Sequence, residues 1–180
     1  MEWFDLLDDT GRRTGEQKER EAVHRDGDWH PSVHIWVIRD GEVLLQERAA
    51  DKECFPSCWD AACTGHVSAG ESVLEGAVRE LSEELGIKTA PSSLRYLFTQ
   101  QLCVHAGEFI SNEWNDVFLL DPRAVPETLT FQQEEIASLK WMDAALFGER
   151  LLAHDPLYCI SAEEYRKVYR LYSSIPREGL

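Results

Sequence analysis

The spacing of apolar residues along the chain predicts a mixture of strands and helices. From Ser72 to Leu85 the apolar residues recur at i, i+3 and i+4, which is typical of an amphipathic helix, and Gly86 is placed to end it. Another helix is expected over 143–153, and a Ser161-x-x-Glu164 capping box begins one that runs to about residue 173. Strands are expected where short apolar runs lie between turn residues, at 33–38, 43–45, 59–67, 94–104, 114–120 and 136–142.

The N-terminal part of the chain has a weaker pattern. Residues 4–11 are expected to form a short strand that runs into a turn, and the highly charged segment 16–25 to be loop or frayed strand. Asp40-Gly41 supplies a tight turn between two strands. Because strands and helices do not alternate regularly, the pattern predicts an α/β fold with a mixed sheet flanked by helices. We interpret residues 1–180 as a single domain with a short N-terminal β-hairpin extension over about 1–25.

Length and composition agree with a globular domain. The chain has 180 residues, of which 43% are hydrophobic and 28% charged, enough to bury a core. No basic stretch followed by an apolar run opens the chain, and no segment approaches the roughly eighteen apolar residues of a membrane span, so neither a secretory signal nor a membrane anchor is expected. The five cysteines form an odd set, which we interpret as reduced thiols of a cytoplasmic protein.

The net charge of −15 restricts the possible ligands. Sequence-independent binding of DNA or RNA needs a basic face that displaces counterions, so a nucleic acid polymer is not expected as a partner. An anionic small molecule is still compatible with this charge if bound cations and a few local basic residues outweigh the global field. A protein this acidic should therefore handle phosphates through metal ions.

The predicted helix over 72–85 carries a cluster of carboxylates. At about 100° per residue, Glu80, Glu83 and Glu84 project from one face, and Gly76 one turn earlier is expected to leave room beside Glu80. Such carboxylates repel one another unless a cation lies among them, and Mg²⁺ prefers oxygen ligands that it can share with substrate phosphates. Arg79, four residues before Glu83, is placed to hold an acid in position. The alternative is a solvated acidic face, which is what most glutamate clusters on helices are.

The surrounding residues favour the metal site. The segment Gly65–Ile87 resembles the signature of the Nudix hydrolases, G-x5-E-x7-R-E-U-x-E-E-x-G-U with U aliphatic. The nine specified positions are filled by Gly65, Glu71, Arg79, Glu80, Leu81, Glu83, Glu84, Gly86 and Ile87.

This resemblance implies an α/β/α sandwich with a mixed β-sheet, in which the signature forms a loop–helix–loop. It also implies that Glu80, Glu83 and Glu84, with the backbone of Gly65, hold Mg²⁺ or Mn²⁺. Arg79 and Glu71 would be structural members of the signature. The implied reaction is hydrolysis of a diphosphate linkage in a nucleoside diphosphate derivative or a related organic diphosphate, by a monomer or homodimer.

Further segments resemble the branch of the family that is similar to isopentenyl-diphosphate isomerase. They are 23–30, 44–48, Phe55-Pro56-x-x-Trp59 and 112–114. Isomerases place a basic pair near such a Phe-Pro element to hold the substrate diphosphate, and Arg48 and Lys52 occupy those positions. A solvated role for each of the two is the alternative. Ser57 replaces the usual glycine, which puts the shape of this loop in question.

The isomerases also bind a metal through histidines and glutamates. His24, His30, His66 and Glu113 match much of that set, which implies a possible second metal site. Ser111, however, stands where the isomerases have a glutamate, and structural or exposed histidines are the alternative. His34 lies on a strand and is assigned no role.

Two departures favour hydrolysis over isomerisation. The isomerases have a catalytic cysteine immediately before the Gly-His pair, but here Thr64 occupies that position and Cys63 is one residue away, on the opposite face of a strand. The isomerases also have a degraded signature, whereas this one is intact. A Nudix domain that only binds a nucleotide or metabolite is a further alternative, but such domains often lose the signature acids.

The expected mechanism is attack of water on one phosphorus of the diphosphate. The segment 132–135 resembles the loop that supplies the general base in several Nudix enzymes, and there Glu135 is preferred over Glu134. Glu84 is an alternative base. The sequence does not identify the leaving group.

Overall fold

The chain folds into strands and helices that match the mixed pattern of its sequence. The structure is a computed structural model and describes residues 2–175. The strands are β1 Trp3–Leu7, β2 Arg13–Glu19, β3 Trp29–Trp36, β4 Ile38–Arg39, β5 Glu42–Arg48, β6 Trp59–Ala61, β7 Cys63–His66, β8 Leu94–Ala106, β9 Phe109–Leu120 and β10 Ile136–Asp143. The helices are α1 Arg20–Asp26, α2 Val73–Leu85, α3 Ala144–Leu152 and α4 Ala162–Ser174.

The strands form two main sheets and a separate hairpin. One sheet has the order β7-β3-β9-β8, in which β3 and β9 are parallel and the other pairs antiparallel, so the expected mixed sheet is confirmed. The other has the order β10-β5-β4, with β6 also paired to β5. β1 and β2 pair only with each other among the described strands and form the N-terminal hairpin.

Two apolar clusters hold helices against opposite sides of the sheets. Val33 and Ile35 of β3 lie in the cluster that contains Leu81 and Leu85 of α2. Trp36, from the opposite face of β3, lies in the cluster that contains Phe147 of α3 and residues of α4. This alternation along one strand separates the two helical layers, which confirms the α/β/α sandwich.

The ends of α2 follow its local sequence. Ser72 and Glu75 form a reciprocal capping box at the start, and Gly86 adopts a left-handed conformation, with φ of 64°, at the end. At α4 the expected capping box is only half present. Ser161 accepts the backbone N–H of Glu164, but the Glu164 side chain turns inward to His34 instead of returning to the cap.

Several sequence-based boundaries were wrong. The segment 16–25, expected to be loop or frayed strand, contains the end of β2 and most of α1, whose Val23 is buried beneath the hairpin. The strand expected over 59–67 is two short strands that belong to different sheets. β3 begins four residues earlier than expected because it pairs in parallel with β9 from Trp29↔Asn112 onward. β9 begins five residues earlier than expected because it pairs with β8 from Phe109↔Ala106 onward. Polar residues can extend these strands because backbone pairing does not depend on side-chain hydropathy.

None of the helices within residues 2–175 has the length and apolar character that a membrane span requires.

Candidate active site

Most of the predicted site residues line one cavity of about 740 Å³, a volume suited to a small-molecule ligand, whereas Glu71, His24 and His30 are not part of its lining. Both main sheets contribute to its wall: β3, β7 and β9 from one side and β5 and β6 from the other. α2 contributes its carboxylates, and the segment 132–135 lies nearby because the Gln132 N–H donates to the Glu84 carbonyl at 3.0 Å. The fold therefore brings together residues from segments far apart in the sequence.

The three glutamates of α2 differ in burial. Glu80 and Glu84 are 8% and 6% exposed, whereas the Glu83 side chain is 55% exposed and lies at the rim of the cavity. Room for Glu80 comes from Gly65, because a Cβ atom there would overlap the Glu80 carboxyl group. The expectation that Gly76 provides this room was wrong. A Cβ on Gly76 would lie 3.2 Å from a methyl group of Val67, so Gly76 serves the packing of α2 on that residue.

Arg79 holds the carboxylates of the signature in place. Its guanidinium donates to Glu71 at 2.9 Å, to Glu80 at 3.0 Å and to Glu83 at 2.9 Å, and its Nη2 donates to the His66 carbonyl at 2.9 Å. Partial burial works against the charge of Arg79, but these acids keep its pKa above the ordinary value. Arg79 therefore connects Glu71 with Glu80 and Glu83 by hydrogen bonds.

The two buried carboxyl groups are held close to each other without enough compensating charge. Burial raises the pKa of Glu80 to about 7, although Arg79 opposes this shift. Burial and the neighbouring charge of Glu80 raise the pKa of Glu84 to about 8. Glu84 Oε2 is buried and has no hydrogen-bond partner among residues 2–175. Such a set of oxygen donors fits a hard divalent cation, which would relieve both the repulsion and the unpaired oxygen.

The basic pair also faces the cavity. Arg48 donates from Nε to the Cys54 carbonyl at 3.1 Å and lies 3.5 Å from an oxygen of Asp60. Lys52 forms a salt bridge with Glu135, so the structure joins the residue proposed for phosphate binding to the residue proposed as base. Ser57, where the related motif has glycine, adopts a φ of 58°. The loop thus has a left-handed residue at this position even though serine replaces glycine.

The three histidines converge on one point. His24, His30 and His66 each offer a ligand atom, and these atoms lie within 4.8 Å of one another. Their Nε2 atoms are buried and have no hydrogen-bond partner within the described part of the chain. Nδ1 of His24 and of His30 face the carbonyls of Ile110 and Asp28, at 3.3 and 3.0 Å. Donation from Nδ1 to a carbonyl leaves the Nε2 lone pair available, which is how proteins prepare imidazole for a metal ion.

The surroundings keep these imidazoles neutral. Burial lowers the pKa of His24 to about 4 and also lowers the pKa values of His30 and His66. Phe4 of the N-terminal hairpin stacks on His30 and His66, with ring centroids 5.1 and 4.9 Å away. Glu113 lies 3.8 Å from His66 Nε2.

Ser111 stands at the position where the similar isomerases have a glutamate. It instead donates its hydroxyl to Glu113 Oε1 at 2.6 Å.

Several cavity residues were not found from the sequence. His34, to which no role was assigned, lines the cavity and bonds to Glu164 of α4. Gln46 donates to the Thr64 hydroxyl at 3.1 Å, so Thr64 faces the cavity, whereas Cys63 is fully buried in the core on the side of α2. Thr64 and Cys63 are neighbours on β7, so their side chains point to opposite faces of the sheet. In the sequence, the only indication of a role for His34 was that it is a polar residue within an apolar strand.

The chain is similar to known proteins in sequence and in structure. Residues 28–161 match the family model described as NUDIX domain. The chain is 40% identical over 163 residues to "Nudix hydrolase 3" of Arabidopsis thaliana, an alignment that covers 87% of this chain but only 21% of that protein. It is 34% identical over 142 residues to an uncharacterized Nudix hydrolase of Clostridium acetobutylicum, covering 77% of this chain and 68% of the relative.

Another relative has an isomerase name. The "Isopentenyl-diphosphate Delta-isomerase" of Nocardia farcinica is 34% identical over 158 residues, which cover 86% of each chain. Among solved structures, a Deinococcus radiodurans protein superposes with a TM-score of 0.69 at 21% identity, covering 93% of this chain and 99% of that one. At that identity the superposition supports the fold alone.

We expect Glu84→Gln to stabilise the metal-free protein in a pH-dependent manner. The folded-state pKa of Glu84 lies above its ordinary value of 4.5, so the wild-type protein loses stability as the pH rises through about 8, while the neutral amide does not. In EDTA, the Tm of Glu84→Gln should match the wild-type Tm near about pH 5 and exceed it by several degrees near about pH 9. Glu127→Gln, at an exposed position outside the cavity, is the control. A variant less stable than wild type at the higher pH would contradict this interpretation.

Proposed function

The chain belongs to the Nudix hydrolase family, and on that basis we propose that it hydrolyses the diphosphate linkage of a small organic diphosphate with the help of a divalent metal ion. The observation that carries the proposal is the unpaired, buried oxygen of Glu84 beside Glu80, in a cavity that also contains a basic pair. Nucleoside diphosphate derivatives and related organic diphosphates are the proposed substrate class. The acidic chain would bind them as small molecules without a nucleic acid polymer as partner.

Glu80, Glu83 and Glu84, with the backbone of Gly65, would hold Mg²⁺ or Mn²⁺. When bound there, the ion supplies positive charge against the phosphate oxygens and lowers the pKa of the attacking water. Arg79 fixes Glu80 and Glu83 by direct hydrogen bonds, so the ligand geometry exists before the ion arrives. Such preorganisation lowers the cost of ordering the site.

The remaining residues divide the work on substrate and water. Arg48 and Lys52 would bind the diphosphate, and a phosphate that draws Lys52 away would release the Glu135 carboxylate from its salt bridge. Glu135 would then accept the proton of water as its oxygen attacks phosphorus and the bridging P–O bond breaks. Glu84 is the alternative base, since it lines the same cavity as Arg48, Lys52 and Glu135.

We further propose a second metal site formed by His24, His30, His66 and Glu113. The three unpaired Nε2 atoms support it, because neutral buried imidazoles without hydrogen-bond partners are costly unless a ligand satisfies them. Imidazole donors with one carboxylate suit a transition metal such as Mn²⁺ or Zn²⁺. Phe4 covers the cluster from the N-terminal hairpin, which gives the hairpin a place in the site.

Isopentenyl-diphosphate isomerisation is the alternative activity, because relatives with that name are 30–34% identical. In the cavity, the Thr64 hydroxyl stands where an isomerase has a thiol. The Cys63 thiol lies on the core side, where burial raises its pKa. A hydroxyl is a much weaker acid than a thiol, so protonation of an alkene from Thr64 is disfavoured. A domain that only binds nucleotides is a weaker alternative, because all signature acids are retained.

The cysteines suit a reducing compartment. All five are unpaired in the described chain, including Cys103 on an exposed strand position, and we propose a cytoplasmic location on this basis.

The test of the reaction is a chromatographic assay of the products, including organic monophosphates, pyrophosphate and phosphate, with Mg²⁺ or Mn²⁺ on nucleoside diphosphates and triphosphates, sugar nucleotides, thiamine diphosphate and isoprenoid diphosphates. We expect at least one substrate class to be hydrolysed, and Glu83→Gln to lower kcat by about a hundredfold or more because one metal ligand is lost. Glu127→Gln should retain wild-type turnover. Near-normal activity of Glu83→Gln at saturating Mg²⁺ would refute the assigned site.

The histidine site predicts a separate metal stoichiometry. After reloading with Mn²⁺ or Zn²⁺ and removal of excess metal, His30→Gln should retain about one equivalent less than wild type, as measured by plasma mass spectrometry. His105→Gln, on an exposed strand position, should not change the content. Equal metal content in wild type and His30→Gln would show that the cluster is structural.

The chain should not isomerise isopentenyl diphosphate. In D₂O with Mg²⁺ and Mn²⁺, NMR should detect neither dimethylallyl diphosphate nor deuterium in the recovered substrate at rates near those of diphosphate hydrolysis, because the Thr64 hydroxyl is too weak an acid to protonate an alkene. Isomerisation at a comparable rate would support the alternative activity.

A further inference from the structure

His34 occupies a central position in the cavity wall. It lies on β3 between β7 and β9, opposite Thr64 on one side and Val117 on the other. The preceding register pair, Val33↔Gly65, contains the glycine that contacts Glu80. His34 is therefore one residue pair away from the proposed metal ligands, where the organic part of a diphosphate substrate would meet the wall.

A buried carboxylate fixes the orientation of the His34 ring. Nδ1 of His34 lies 2.9 Å from Oε1 of Glu164, and Glu164 is only 1% exposed. Trp36 Nε1 donates to the same oxygen at 3.0 Å, and Gln100 Nε2 donates to Oε2 at 2.7 Å. A carboxylate that accepts this many hydrogen bonds keeps its charge even when buried, so His34 faces a fixed anion.

The contact with Glu164 favours the form of His34 that has a proton on each ring nitrogen. Burial alone would lower its pKa, but the charge and the hydrogen bond of Glu164 outweigh burial and raise it to about 9. Asp60 of β6 and Glu113 of β9 are the other charged groups that act on the ring, and both raise its pKa. Nε2–H is therefore a donor.

The second ring nitrogen of His34 has no acceptor in the protein. Nδ1 is used by Glu164, and Nε2 makes no hydrogen bond within residues 2–175, although His34 lines the cavity. By contrast, the other cationic side chains of the cavity already have partners: Arg20 with Glu2, Arg48 with the Cys54 carbonyl and Asp60, Lys52 with Glu135, and Arg79 with the signature acids. His34 is thus an oriented donor that a ligand can reach without breaking an existing contact.

We propose that His34 is a specificity-determining residue whose Nε2–H donates to a hydrogen-bond acceptor on the organic part of the diphosphate substrate, and that Glu164 is its positioning residue. The inference rests on the proposed diphosphate hydrolysis. It favours substrates whose organic part carries acceptors near the diphosphate, such as the sugar or base of a nucleoside, over purely aliphatic diphosphates. A donor left without an acceptor in a closed site costs binding energy, so the discrimination works against aliphatic groups as well as for polar ones.

Two kinds of non-hydrolysable probe separate this role from phosphate binding. Methylenediphosphonate presents only the diphosphate, whereas the α,β-methylene analogues of ADP and CDP add a nucleoside. Binding is measured by calorimetry with Mg²⁺ for wild type, His34→Asn and the control His105→Asn. Asparagine at position 34 retains an amide near the position of Nδ1 for Glu164 but has no group at the position of Nε2.

We expect His34→Asn to weaken the better-bound nucleoside analogue by about tenfold or more and methylenediphosphonate by less than about twofold. Equal weakening of both probes would show that His34 binds phosphate, and no weakening of either would show that it is structural; each result overturns the proposal. If wild type binds methylenediphosphonate but gains nothing from a nucleoside, only this inference fails. If wild type does not bind methylenediphosphonate, the diphosphate hydrolysis proposal fails, and this inference fails with it.

The positioning role of Glu164 has a spectroscopic test. In ¹⁵N-histidine NMR at about pH 7.5, wild-type His34 should show both ring nitrogens protonated, and Glu164→Gln should convert it to a neutral ring while circular dichroism shows the fold intact. The same variant should lose affinity for the nucleoside analogue and keep affinity for methylenediphosphonate. A neutral His34 in wild type, or one unchanged by Glu164→Gln, would overturn the role of Glu164.

Discussion

The burial of Glu80 and Glu84 side by side on α2 is the constraint on which the rest of the site depends. Burial raises the pKa of both carboxyl groups, and the charge of Glu80 raises that of Glu84 further. Arg79 opposes the shift at Glu80, and hydrogen bonds from Cys63 and from the Thr64 backbone oppose it at Glu84. The neighbouring elements accommodate this arrangement. Position 65 accommodates only glycine, because a Cβ there would overlap Glu80. Glu71 accepts a further hydrogen bond from the Arg79 guanidinium. The two buried carboxyl groups thus lie where the proposed metal ion would bind.

Burial and neighbouring charge also decide the protonation of the histidines, and they act in opposite directions on the pair His24 and His30 and on His34. His24 and His30 are surrounded by carbonyls and by Phe4, so burial keeps them neutral with a free lone pair. His34 faces a buried carboxylate, so it gains a proton and becomes a donor. The buried cluster therefore offers imidazole lone pairs, whereas the cavity wall offers the N–H of His34. Residue type alone does not distinguish these roles, since the environment of each ring decides its protonation.

The division of β3 between two faces connects the site with the core. Val33 and Ile35 pack toward α2, while His34 and Trp36 face α4. The ring N–H groups of His34 and Trp36 both donate to Glu164. α4 is thereby attached to the sheet by an ion pair as well as by apolar packing. Because α4 follows every other described element in the chain, the wall of the cavity is complete only after the C-terminal helix has docked.

Local spacing in the sequence was sufficient to predict α2, its end at Gly86 and its acidic face, because neighbours three and four residues apart meet on a helix whatever the rest of the chain does. The motif also identified Arg79 as the support of the acids. Only the tertiary structure decided that Gly65 makes room for Glu80, that Lys52 meets Glu135, and that Glu164 turns from its cap to His34. The partners in the last two contacts lie 83 and 130 residues apart. Contacts at such separations are set by strand register and helix docking, which leave no periodic trace in the sequence.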